Sequence, residues 1–265
     1  MVSLLELGAY LATGTAAGLL AGLLGVGGGI IVVPTLVWLF AEAGFVPDWI
    51  FHLAVGSSLA ALIGTGIAAA YSHHRRGAVR WDLMRALAPW IVMGAGVGSA
   101  VAGLLDEVWL RRFFGFFLLF VGTRMLWRRS QSDLRDLPGT LVMGLVGVLI
   151  GSVSALLGIG GATLTVPLLA RSGLDVRHAI GTSSACGLPI ALAGALGFVV
   201  VGWGREGLPP GSTGFVYWPA VAGILLASVP AAPLGARLAH SLPLVVLKRI
   251  FAALVLMIGL KMLLG

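Results

Sequence analysis

The sequence predicts an all-α integral membrane protein made of two inverted repeats of five hydrophobic elements each, the first pair of each repeat short and broken at a glycine-rich apex. Three observations predict it. The 265-residue chain is 58% hydrophobic and only 10% charged, whereas soluble domains carry about 25% charged residues. Most of its surface must therefore face lipid. Its apolar runs are continuous, not alternating as in a barrel, and several reach the roughly 20 residues that a helix needs to cross the hydrocarbon core. A glycine-rich break also occurs twice, at matching places.

Taken in order, five apolar elements cover residues 4–24, 28–41, 50–72, 84–105 and 108–127. The first has no basic flank and leads straight into the glycine motif, so it is expected to stay as a membrane element and not to be cleaved as a signal peptide. A polar stretch from Arg128 to Asp136 follows. Five more elements then cover 138–157, 159–171, 178–202, 214–240 and 242–264. This divides the chain into a first repeat at 1–129, a cytoplasmic linker at 130–137 and a second repeat at 138–265.

The halves match at three ordered landmarks. Gly25 and Pro34 return as Gly158 and Pro167, both at an offset of 133. Gly56-Ser57-Ser58 meets Gly181-Thr182-Ser183 at 125, and Leu110 to Phe114 meets Leu247 to Phe251 at 137. The offset drifts only where loops differ, as expected of an internal duplication. Residues 205–211 read as an insertion in the second half. Each repeat contributes an odd number of crossings whether its first pair spans or turns back, so the second half is inverted relative to the first.

Charge supports that arrangement. With the loop holding His73, His74, Arg75, Arg76 and Arg80 in the cytoplasm, alternation leaves only Arg111, Arg112, Arg205 and Lys261 of the 17 Lys and Arg outside. By the positive-inside rule both termini then lie on the outer side of the cytoplasmic membrane. The net charge of +7 is thus a topology signal, and nucleic acid is not expected as a partner. Trp38, Trp49, Trp81, Trp109, Trp127, Trp203 and Trp218 fall near span ends, as interfacial anchors do. The single cysteine, Cys186, excludes a disulfide framework.

The chemistry is expected at the breaks. Residues 22–29 hold five glycines inside an apolar run, and Gly158, Gly160 and Gly161 repeat the pattern. Fourteen residues of helix after the first break reach only about 21 Å, short of a core about 30 Å thick. Short, glycine-interrupted elements at matching places in two halves point to a transporter's binding site. Close packing of helices through small residues is the competing reading. A helix that starts at such a break aims its N–H donors and positive dipole end into it, which suits an anion. The expected substrate-binding residues are Gly27, Gly28, Gly29, Gly160, Gly161 and Ala162, with the hydroxyls of Ser57, Ser58, Thr182, Ser183 and Ser184 opening the third element of each half. Those hydroxyls could instead bond their own helix backbone.

No Asp or Glu sits in the middle of a span, which disfavours a carboxylate-based cation pump. An anionic or neutral small molecule is expected, with a coupling ion, proton or sodium, left open, as is the oligomeric state. His52 and His178 stand near element starts, at the interface or close to substrate and proton. His73-His74 reads as a solvated loop with no second ligand pair, so no metal site is expected, nor any cofactor. A membrane hydrolase would need a nucleophile beside a base, and no such setting stands out.

The stretch Gly22-Leu23-Leu24-Gly25-Val26-Gly27-Gly28-Gly29-Ile30-Ile31-Val32-Val33-Pro34, its echo at 155–167 and Gly181-Thr182-Ser183-Ser184 resemble the sulfite exporter TauE/SafE (TSUP) family of membrane transporters. The resemblance covers roughly 8–264. It implies alternating-access movement of a small sulfur-containing anion such as sulfite, sulfoacetate or a related sulfonate. A passive anion channel and a carrier of a non-sulfur organic anion are the alternatives. The second copy departs from the glycine run at Ala162 and Thr163, so the half-sites are expected to contribute unequally. The residues leave open whether each glycine-rich pair turns back or passes through.

Overall fold

A computed structural model describes residues 3–25, 28–127, 140–239 and 244–264. Ten α-helices hold most of them: α1 (Leu4–Leu24), α2 (Gly29–Glu42), α3 (Ile50–His74), α4 (Trp81–Ala102), α5 (Glu107–Trp127), α6 (Thr140–Leu157), α7 (Ala162–Arg171), α8 (Val176–Val201), α9 (Trp218–Leu238) and α10 (Leu244–Leu264). Among the described residues, five segments are long and apolar enough to cross a membrane: Leu4–Leu23, Pro47–His74, Trp81–Ala102, Val176–Val201 and Trp218–Leu238. The chain is a multi-pass, all-α membrane protein. The expected linker at 130–137 lies outside the described residues.

Local chemistry sets the helix ends. Ser3 caps α1 in a reciprocal capping box: its hydroxyl accepts from the Glu6 N–H at 3.1 Å, and Glu6 accepts from the Ser3 N–H at 2.7 Å. Asp175 starts α8 by accepting from the Arg177 N–H at 3.1 Å. Each fills donors that a helix start leaves open.

Packing crosses the two halves. Helix α1 lies along α9, and α4 lies along α6. The central helices α3 and α8 pack on each other; α3 also meets α2 and α9, and α8 meets α7 and α4. Helices α5 and α10 pair at the flank. Exchanging α1–α5 for α6–α10 maps this set of contacts onto itself. The equivalent central helices run antiparallel. Ala78, just past the end of α3, abuts Gly181 early in α8, while Phe198, late in α8, and Phe215, whose N–H donates to the Phe198 carbonyl, abut Gly56 early in α3.

Glycines make the cross-half pairs close. A Cβ on Gly14, Gly18 or Gly22 would overlap the carbonyl oxygens of Ile224, Ser228 and Ala232, so α1 and α9 run parallel with backbones touching. In the other pair Gly94, Gly98 and Gly151 abut the carbonyls of Val148, Ser152 and Ile91, and the Ser152 hydroxyl donates to the Gly94 carbonyl at 2.9 Å. This is small-residue packing as membrane helices use it. It accounts for Gly22, at the edge of the first glycine run.

Three expectations change. The element placed at 214–240 starts as helix only at Trp218. Before it, Ser212–Thr213 (β1) and Val216–Tyr217 (β2) form a two-stranded antiparallel hairpin turned at Gly214, where φ is 54°. Extended backbone is held there because β2 is bound to α3, as described below. His73 is not solvated: α3 runs on to His74, and the His73 ring is 1% exposed with Nε2 3.0 Å from the Gly22 carbonyl oxygen. A carbonyl only accepts, so that ring nitrogen donates. The fourth element runs 81–102 instead of 84–105 because it begins where the segment before it is anchored.

Candidate functional site

The two breaks are matched in backbone conformation. Gly25 ends α1 at φ 68° and Gly158 follows α6 at φ 67°. Gly28 caps α2 at φ 74° and Gly161 caps α7 at φ 72°. Left-handed backbone at all four places is why glycine recurs there. Neither the α2 cap nor the α7 cap has a side-chain hydrogen bond; the Ile31 and Leu164 N–H groups donate to the Gly28 and Gly161 carbonyls, and no side chain takes the donors ahead of them.

The backbone turns at each break. A Cβ on Gly28 would lie 2.6 Å from the Ala17 Cβ, about two turns back along α1. Gly161 likewise lies against Ser154 and Ile150 of α6. At the other end of the first hairpin, Tyr10 of α1 packs on Gly223 of α9, and Phe40 of α2 meets the Tyr217 ring edge-on at 5.6 Å. The Tyr217 phenol lies outside the spans, and burial, then nearby Glu6, pushes its pKa up, which keeps it neutral.

The two breaks meet each other beside α3 and α8. Gly29 abuts the Gly158 carbonyl, so the start of α2 touches the second break. Gly25 lies beside Ile180 and Ser184 of α8, and Gly158 beside Val55 of α3. Ile180 and Val55 are equivalent at the offset of 125. A small space of about 10 Å³ is lined by Ala21, Gly25, Leu62, Gly160, Ser184 and Gly187, among others. It has room for about one water.

Each expected site residue has a definite place. Gly28, Gly29, Gly160, Gly161 and Ala162 are buried at the breaks; Gly27 lies outside the described residues. The hydroxyls divide. Ser57 accepts the Tyr217 N–H at 2.9 Å, and Thr182 accepts the Arg80 N–H at 3.0 Å. Tyr217 and Arg80 are the residues just before α9 and α4. Gly56 and Gly181 let the Phe215 and Ala78 carbonyls approach in the same way. The recurring Gly-Ser/Gly-Thr pair is thus a clamp, one copy on each central helix, that binds the extended segment leading into a neighbouring helix.

Ser58 donates to the Gly158 carbonyl at 2.8 Å, so α3 of the first half supports the break of the second. Ser184 faces Gly25 and bonds back to the Ile180 carbonyl at 3.0 Å. Ser183 is fully buried and its Oγ has no hydrogen-bond partner. Ser154 and Thr163 are in the same condition at the second break, each with a buried, unpartnered hydroxyl oxygen. Sequence reading passed over Ser154; its signal is a polar residue one turn before the break in an apolar helix.

His52 and His178 have their partners outside the glycine runs. His52 is buried, with Nε2 3.0 Å from the Ala102 carbonyl oxygen and its ring against Phe215 at 5.0 Å. His178 is solvent-accessible, with Nδ1 3.8 Å from Asp175. No cluster of His, Cys, Asp or Glu able to hold a metal occurs among the described residues.

Two matched helix breaks, buried beside two antiparallel central helices, fit a membrane protein of transporter type. The chain belongs to the sulfite exporter TauE/SafE family, whose model matches residues 10–262. It is 36% identical over 255 residues to a probable membrane transporter protein of Haemophilus influenzae, covering 95% of this chain and 96% of that one. It is 25% identical to the probable membrane transporter protein YdhB of Bacillus subtilis, over 87% and 89% of the two chains. The probable membrane transporter protein MamO of Magnetospirillum gryphiswaldense is 26% identical over 94% of this chain but only 43% of its own length. No solved structure matches the chain. The protein is a membrane transporter.

Proposed function

We propose that this transporter is a secondary carrier of a small sulfur-containing anion, sulfite or a sulfonate, across the cytoplasmic membrane, with both termini on the outer side. It works by alternating access. One observation carries the reading: two buried, left-handed glycine caps, each opening a short helix whose first donors have no side-chain partner. Such ends attract anions. The binding groups are the backbone at Gly27–Gly29 and Gly160–Ala162, with Ser183 and Ser184. Ser57, Ser58 and Thr182 already hold backbone groups, and we assign them to the frame around the site.

The interlocking of the halves changes what moves. Helix α1 is held to α9 and α6 to α4, so the moving bodies are these cross-half groups and not residues 1–129 against 138–265. The space at the breaks, about 10 Å³, is too small for a continuously open pore, which favours a carrier over a channel.

Uptake and counterflow in proteoliposomes test this. Wild-type protein is expected to exchange labelled sulfite or a sulfonate with saturation. Gly28→Leu and Gly161→Leu are expected to insert in the membrane and abolish exchange. Normal exchange by both variants sinks the site assignment, and non-saturating flux far above carrier rates replaces the carrier with a channel.

A further inference from the structure

The two breaks are alike in backbone and unlike in chemistry. We propose that the anion's seat is the second break: the first turn of α7, completed by the hydroxyls of Ser154 and Thr163, taking an oxyanion head group that carries a single negative charge. The proposal rests on the carrier reading above and deepens it.

Helix α7 has ten residues and an N-cap, Gly161, without a side-chain bond. Ser154 stands on α6 one turn before the break, is 0% exposed, and its Oγ has no hydrogen-bond partner. That oxygen is 3.3 Å from the point a Cβ on Gly161 would occupy, so the hydroxyl is aimed at the α7 N-terminus. Thr163, the second residue of α7, also has a buried Oγ1 without a partner. A buried hydroxyl with nothing to bond costs stability, and a ligand oxygen removes that cost. Thr165 does not join them, because its hydroxyl donates to the Gly161 carbonyl at 2.9 Å.

The first break lacks these groups. At the offset of 133, Ser154 corresponds to Ala21 and Thr163 to Ile30. The first half offers a glycine turn and apolar side chains where the second offers hydroxyls.

The charge rule follows from what is absent nearby. The buried polar residues among those described are Ser, Thr and His, with no Lys or Arg among them. The two buried histidines bond the Ala102 and Gly22 carbonyls through Nε2. A helix N-terminus supplies about half a positive charge. With hydroxyl and amide donors it can hold one negative charge, as on a sulfonate or hydrogensulfite group. Two charges on one head group, as on sulfate, would leave a buried charge uncompensated.

Titration of the purified protein, read by thermal shift and calorimetry, tests the seat with methanesulfonate as monoanion and sulfate as dianion. Methanesulfonate is expected to bind and raise Tm, and sulfate at the same concentration is expected to do neither. Ser154→Ala and Thr163→Val are each expected to weaken methanesulfonate by about tenfold or more. Thr163→Ser restores binding, which separates a lost hydroxyl from a damaged fold, and Thr123→Val, an exposed hydroxyl on α5, changes nothing. Binding that survives both Ser154→Ala and Thr163→Val overturns the seat and leaves the carrier reading standing. Sulfate binding as tight as that of methanesulfonate overturns the single-charge rule. Wild-type protein that binds neither probe nor sulfite overturns the anion reading, and the seat with it.

Discussion

At the residue scale, Ser57 and Thr182 show how a hydroxyl in a membrane helix is committed by its surroundings. Both were readable as marked positions, because the Gly-Ser/Gly-Thr motif recurs at a fixed offset. Their partners were not readable, because the Tyr217 and Arg80 N–H groups come from segments far along the chain. Removing either acceptor leaves a backbone donor unsatisfied, at a cost of about 1–3 kcal/mol. Ser57→Ala and Thr182→Val are therefore expected to lower the thermal midpoint of the detergent-purified protein, by similar amounts since the clamps are equivalent. An unchanged midpoint in both would mean that the clamps hold nothing. The glycines were more legible: a break in an apolar run asks for positive φ, and Gly25, Gly28, Gly158 and Gly161 all have it. Gly161→Ala meets both the strain of left-handed backbone, about 1–2 kcal/mol, and overlap with the Ile190 side chain. It is expected to destabilise more than Gly204→Ala, where φ is 72° but no atom lies close; equal shifts in Tm would show that crowding at the break does not matter.

At the element scale, hydropathy located the ten helices because each is a continuous apolar run with turn residues at its ends. It missed the hairpin at 212–217, where apolar Phe215 and Val216 read as the start of α9. Those residues are buried and extended because β2 is bound to α3, a tertiary cause invisible to a local window. Sequence reading also drew attention to the break glycines and passed over Gly14 and Gly18, which act by contact. Gly18→Leu would drive a side chain into the Ser228 backbone, and overpacking of this kind costs about 1–3 kcal/mol or more. It is expected to cut the yield of folded protein and lower Tm, whereas Gly8→Leu, with nothing close, should be neutral. Equal behaviour of the two would remove Gly18 from the α1–α9 contact.

At the scale of the whole molecule, the repeat was legible as a sequence duplication, but the interlock was not. Offsets identify which elements correspond; they do not say that α1 takes α9 as its neighbour instead of an element of its own half. The physical reason lies in Gly14, Gly18 and Gly22 facing the backbone at Ile224, Ser228 and Ala232, a match of surfaces that periodicity alone does not pair. Expressed separately, residues 1–129 and 138–265 are expected to be degraded or to aggregate, and co-expression is expected to recover a complex that co-purifies. A stable, monodisperse single half would refute the interlock.

That pairing also constrains how the protein is made. When α1 enters the bilayer during synthesis, α9 has not been translated, and about 200 residues separate them. Until the ribosome has nearly finished, the glycine face of α1 can meet only lipid, a chaperone or another nascent chain. The last fifth of the polypeptide therefore decides whether the first helix is ever seated, and a truncation there should be felt at residue 14 as strongly as at residue 224.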